Sequence, residues 1–127
     1  MKYVFDNCLS PKYAAMLAAL GVDAVALRTE MHQDTLDVDI FPTFKGKAVA
    51  FVTCDISQRT RKAEANALRD CGATALFLGR FWPKMTFWQQ AAWLVARWER
   101  IEAFAEAVRR GTCADIQRSG KPSIFQL

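Results

Sequence analysis

The sequence predicts an α/β fold, a central and mostly parallel sheet wrapped by helices. Two patterns predict it. Four short apolar, β-rich runs alternate with helix-like segments through residue 78, as parallel strands joined by crossover helices require. The third run, Ala48-Val-Ala-Phe-Val-Thr53, shows no polar alternation, which suits a strand covered on both faces.

At 127 residues the chain is expected to form one domain with a substantial core. Its 52% hydrophobic and 24% charged composition is that of a globular protein and excludes a disordered one. No apolar run approaches the ~20 residues of a membrane span, and Met1-Lys2 leads straight into a strand. A cytoplasmic protein with no membrane partner is therefore expected. The four cysteines (Cys8, Cys54, Cys71, Cys113) form no C-x-x-C pair and His32 is the sole histidine, so reduced thiols fit better than structural zinc. A net charge of +4 suits a polyanionic partner without requiring one.

Taken in order, Tyr3, Val4 and Phe5 form a short buried strand that stops on Asp6. Ser10 can cap the following helix, with Pro11 at its first position. Tyr13, Met16, Leu17 and Leu20 keep helical spacing over 11–20, and Gly21 stops the helix. Residues 22–27 read as a second strand and 28–36, without a period, as a loop. A short helix is expected over 37–45, where Pro42 is tolerated only near the start. The third strand, 48–53, ends on Cys54-Asp55. Ser57 or Thr60 could cap a helix over 61–71 that Gly72 closes, and 74–78 makes a fourth strand. Thr86-Phe-Trp-Gln89 has capping-box spacing, so a long helix begins there and could reach Arg110, roughly 36 Å. Its stripe is Phe87, Ala91, Leu94, Trp98, Ile101, Ala105 and Val108. Trp93 and Phe104 fall off the stripe and mark either a second packing contact or a partner or dimer surface. The tail, with Ser119-Gly120 between two β-compatible runs, reads as a terminal hairpin.

Strands that run parallel end at one edge, so Asp6 and Asp55 are expected as neighbours there, with Asp37 or Asp39 reaching in from the side. Three carboxylates ~5 Å apart repel by roughly 3 kcal/mol per pair at an effective dielectric near 20. A hard divalent cation offsets that directly, and oxygen-only ligands select Mg²⁺ or Mn²⁺. Such a site hydrolyses phosphodiesters with an activated water. Strand-terminal aspartates also cap helices and fill turns, and spacing alone leaves both roles open. Asn7 could ligate or orient a water, Ser10 and the first turn of its helix could seat a phosphate, and Lys12, Arg59, Arg61 and Lys62 bring positive charge. Glu64 fits a surface position better than a supporting acid. Cys8 and Cys54 flank the site, yet nothing ties His32 to either thiol as a base, which disfavours a cysteine nucleophile.

Phe5-Asp-Asn-Cys-Leu-Ser-Pro-Lys12, Asp37-Val-Asp-Ile40, Phe51-Val-Thr-Cys-Asp55 and the basic helix start at 59–64 together resemble the PIN-like nucleases, and the short relatives of VapC-type toxins most of all. The resemblance runs on through Leu76-Phe-Leu78, the tryptophan-rich helix and Gly120-Lys121. It implies a three-layer α/β/α PIN-like domain with a long C-terminal helix and a Mg²⁺- or Mn²⁺-dependent endoribonuclease acting on RNA. Toxin relatives are paired with a cognate antitoxin. Carried over by position, Asp6, Asp37 (or Asp39) and Asp55 are the metal-binding and catalytic acids. Many members add a fourth acid where this chain has Ser57, which leaves room for a non-catalytic binding module or a processing nuclease.

Overall fold

The structure, a computed structural model, describes residues 1–30 and 37–127, the side chains of residues 30, 37 and 38 excepted. Apolar runs too short for helices form strands β1 (Lys2–Phe5), β2 (Ala24–Ala26), β3 (Val49–Thr53) and β4 (Thr74–Leu78). A terminal hairpin adds β5 (Cys113–Ile116) and β6 (Pro122–Phe125). They build one six-stranded sheet in the order β2-β1-β3-β4-β5-β6, parallel throughout except for the β5–β6 pair. Because β3 and β4 are buried at every residue, neither can show alternation.

Helices cover both faces. On one side lie α1 (Pro11–Ala19) and α6 (Phe87–Ala107), which bury Tyr13, Leu17, Leu94, Trp98 and Ile101 against Tyr3, Phe5, Val52 and Leu76. The other side carries α3 (Asp37–Ile40), a 3₁₀ turn (Phe41–Phe44) and α5 (Lys62–Cys71), packed on Val4, Phe51, Ala75 and Phe77. Three layers result.

Local chemistry explains the helix ends. Ser10 Oγ accepts the Lys12 amide at 3.3 Å, with Pro11 opening α1. Thr86 and Gln89 complete a reciprocal capping box at the start of α6. At the far end of α5, Gly72 adopts φ +72°, the left-handed conformation that stops a helix cheaply only in glycine.

Several expectations need correction. Strand β2 is shorter than 22–27, and residue 27, expected as strand, joins 28–30, expected as loop, in a helical turn α2 (Leu27–Glu30). His32 lies outside the described residues. The helix expected over 37–45 is one α-turn followed by 3₁₀, since Pro42 lacks the amide that α continuation needs. A further turn, α4 (Ser57–Thr60), precedes α5. Neither Ser57 nor Thr60 caps α5; its N-cap is Arg61, with no side-chain cap. Finally, α6 stops at Ala107 rather than Arg110.

Trp93 settles one open alternative. Its ring is buried against Phe81 and Trp82, and its Nε1 donates to the Arg118 carbonyl at 2.7 Å. Phe104 is half-buried against the same core. Both are packing contacts, and Trp93 anchors the β5–β6 turn. Gly120 in that turn has φ +88°, and a Cβ there would meet the Arg97 side chain at 3.2 Å.

Trp98 packs edge-on to Tyr3 at 5.0 Å and beside Phe5 at 5.9 Å, holding α6 on the sheet. Trp98→Ala should therefore lower stability by about 3–5 kcal/mol in urea denaturation. Trp88, 80% exposed on the same helix, should tolerate alanine within about 0.5 kcal/mol.

Candidate active site

Parallel pairing puts the carboxyl ends of β1 and β3 side by side. Phe5 pairs with Val52, and the Asp6 amide continues the ladder to the Val52 carbonyl at 2.9 Å. Asp6 therefore lies level with Thr53, on the face that carries Val4 and Phe51.

Asp6 is buried, at 5% exposure, and its carboxylate is surrounded by donors. Oδ2 accepts from Thr53 Oγ1 at 2.7 Å, Gln58 Nε2 at 2.9 Å and, more weakly, the Cys8 thiol at 3.6 Å. Oδ1 accepts the Asn7 amide at 2.7 Å. Several donors replace the water that a buried carboxylate gives up. Thr53, fully buried, also accepts the Asp55 amide on its hydroxyl at 3.0 Å. One hydroxyl thus joins the Asp6 carboxylate to the backbone of Asp55.

The half-buried Asp55 carboxylate accepts the Ser57 amide at 3.0 Å and the Ser57 hydroxyl, both on Oδ1. Its Oδ2 takes no hydrogen bond from a described residue. Asp55 therefore holds Ser57, the first residue of the α4 turn, with one oxygen and presents the other. Ser57 holds Asp55 in place through its amide and its hydroxyl.

The remaining residues divide between rim and interior. Asn7 lies beside Asp6, and its Oδ1 is buried with no hydrogen-bond partner among the described residues. Lys12, Arg61 and Lys62 are exposed; Arg61 pairs with Glu64 at 2.8 Å, which leaves Glu64 half-buried rather than on the open surface. Arg59 does not join the rim. Its guanidinium binds Asp115 on β5 at 2.7 Å and lies 4.4 Å from the Phe125 ring centre and 5.3 Å from that of Phe77. Burying hydrocarbon and charge together against the hairpin takes it out of the open cation set. Asp39 is exposed on α3, and the Asp37 carboxylate lies outside the described side chains.

Sequence reading missed Thr53, Gln58 and Arg28. Thr53 reads as an ordinary strand end, and Gln58 carries no spacing signal. Arg28 donates to the Asn7 carbonyl at 3.1 Å from α2, the turn that reads as loop.

The thiols form a pair. The Cys54 amide donates to Cys8 Sγ at 3.2 Å, and the Cys54 thiol lies 3.7 Å from the Cys8 carbonyl. The bond between the Cys8 and Cys54 thiols pushes the Cys8 pKa up, with burial and the Asp6 charge adding to it and the Cys54 amide and Thr53 hydroxyl opposing it. That same bond lowers Cys54, against burial and the charges of Asp6 and Asp55.

The Asp6 and Asp55 carboxylates and the unpartnered Asn7 Oδ1 are oxygen donors of the kind a hard cation takes, with the Cys8 and Cys54 thiols beside them. Among the described residues, no group of three or more His, Cys, Asp or Glu side chains is placed to hold a metal. The two aspartates and Asn7 fit an oxygen-ligated ion that a third acid or waters would complete. No described helix is long and apolar enough to cross a membrane.

A family model described as "PIN like domain" matches residues 1–80, which hold β1 to β4 and every side chain of this edge except Asp115. Neither the curated proteins nor the solved structures yield a match.

Thr53→Val removes the hydroxyl that donates to Asp6 and accepts from Asp55. It should cost about 1–3 kcal/mol in chemical denaturation, and Thr53→Ser should recover most of it. A cost under about 0.5 kcal/mol for the valine variant would contradict the linkage.

Proposed function

Since the chain belongs to the PIN-like domain family, we propose that it is a metal-dependent endoribonuclease, the toxin of a toxin–antitoxin pair. PIN-like domains are commonly nucleases, so phosphodiester hydrolysis is the general chemistry of the family. One observation supports the finer reading above the rest: Asp6 and Asp55 leave neighbouring parallel strands at one edge, joined through the Thr53 hydroxyl.

In this reading Asp6, Asp55 and Asp37 (or Asp39) hold Mg²⁺ or Mn²⁺. The bound ion supplies a lowered pKa for the attacking water and positive charge toward the phosphate. The protein does the positioning. Asn7 Oδ1 orients the water, and Thr53 and Gln58 keep the Asp6 carboxylate aimed. Ser10 and the free amides of the first turn of α1 seat a phosphate beside the scissile one. Lys12, Arg28, Arg61 and Lys62 raise the local concentration of a polyanion, so affinity should fall with salt. The antitoxin would be a small protein covering this edge.

A second reading, a non-catalytic module that binds RNA or protein, has its own support. The donors that surround Asp6 leave little of its carboxylate open. Under that reading RNA binds but is not cut in Mn²⁺. A nuclease working in RNA or DNA processing is separated by its lack of growth arrest on expression.

Asp6→Asn and Asp55→Asn should each lower Mn²⁺-dependent cleavage of single-stranded RNA by about 100-fold or more while leaving the circular-dichroism spectrum unchanged. The same changes should relieve growth arrest on expression. Full cleavage by both variants would move the chemistry elsewhere.

A further inference from the structure

Three of the four tryptophans are buried at 3–5% exposure, and Trp88 is 80% exposed. An indole left in water contributes nothing to the core, and a ring so placed is available to a partner. Its surroundings state which kind. Phe87, 42% exposed, stacks on Tyr13 of α1 with ring centres 5.4 Å apart, and Trp88 stands edge-on to Phe87 at 5.8 Å. Lys12 Nζ lies 5.6 Å from the Phe87 ring centre. Arg80 and Lys84, both exposed, lie in the segment that leaves the carboxyl end of β4 and leads into α6. No acidic residue occurs between Asp70 and Glu99.

An exposed indole whose own segment, residues 71–98, carries cations and no acid suits a stacked base with its phosphates better than a protein surface, which would bring charges of both signs. Location agrees. Phe87, the neighbour of the indole, is held against the first turn of α1, roughly 5 Å of helix beyond Ser10, and α1 starts from the edge where Asp6 and Asp55 sit. Trp88 also lies beyond the residues that the family model covers.

We propose that Trp88, flanked by Phe87 and Lys12, is a stacking subsite for an unpaired base of single-stranded RNA. The subsite deepens the nuclease reading and rests on it for its substrate. A base in a duplex has both faces covered by its neighbours, so the site selects unpaired RNA. Phe87, pinned between Tyr13 and Lys12, sets the orientation of the indole, and the cations of the rim take the backbone.

The test uses the full chain, a single-stranded RNA of about 12 uridines and a duplex of equal length, in EDTA so that binding is read apart from cleavage. The single strand should quench the fluorescence of the exposed indole. Trp88→Ala should remove that quenching and weaken binding about 5- to 150-fold, and Trp88→Phe should keep most of the affinity. Duplex binding should be weaker and insensitive to the change. Equal affinity of wild type and Trp88→Ala for the single strand overturns the subsite, as does a wild type that binds no single-stranded RNA. A change in oligomeric state with unchanged affinity also overturns it and makes the ring a contact between copies. The two readings fail separately: cleavage that survives Asp6→Asn and Asp55→Asn sinks the nuclease site, whereas binding indifferent to Trp88 sinks the subsite.

Discussion

A carboxylate taken out of water has to be met by donors, and the carboxyl edge of this protein is arranged around that requirement at Asp6. The donors come from three places in the chain: Asn7 and Cys8 in the loop after β1, Thr53 at the end of β3, and Gln58 on the turn α4. Each contact brings another segment to the same point. The Thr53 hydroxyl passes the linkage to Asp55, and Asp55 in turn holds Ser57 at the start of the α4 turn that carries Gln58. The circuit closes on itself and links the loops after β1 and β3.

The α4 turn has a second task. Gln58 reaches toward β1, and the adjacent Arg59 reaches Asp115 on β5, a strand separated from β1 by β3 and β4. Four residues thereby tie the middle of the sheet to its C-terminal hairpin. Trp93 and Arg100 of α6 bind the turn of that hairpin from the opposite layer, through the carbonyls of Arg118 and Ser119. The matched family segment ends at residue 80, and these contacts join the remaining residues to it. Arg59, half-buried, is committed to the hairpin through Asp115 and Phe125.

The fold was legible wherever a single segment carried its own signal. The fully buried β4 was read at its true bounds, as was the start of α6, because run length and a capping box are local properties. Short turns were not. Residues 27–30 and 57–60 make one turn each, too short to show a helical period, and each carries a site side chain, Arg28 or Gln58. Asp6 and Asp55 were legible as strand-terminal acids, and the parallel sheet brings them to one edge. That Thr53 would join them was not, since a strand-end threonine looks the same whether its hydroxyl meets a carboxylate or a backbone. Arg59 illustrates the opposite error: a basic residue near an acidic edge reads as a substrate contact until its ion pair with Asp115, 56 positions along the chain, is seen.

The central claim is that the oxygens of Asp6 and Asp55 act on one hard cation. Manganese binding followed by electron paramagnetic resonance tests it without reference to any RNA. Wild-type protein should bind Mn²⁺, and Asp6→Asn and Asp55→Asn should each weaken that binding by about 10- to 100-fold. Absence of Mn²⁺ binding in the wild type, or binding indifferent to both changes, would contradict it.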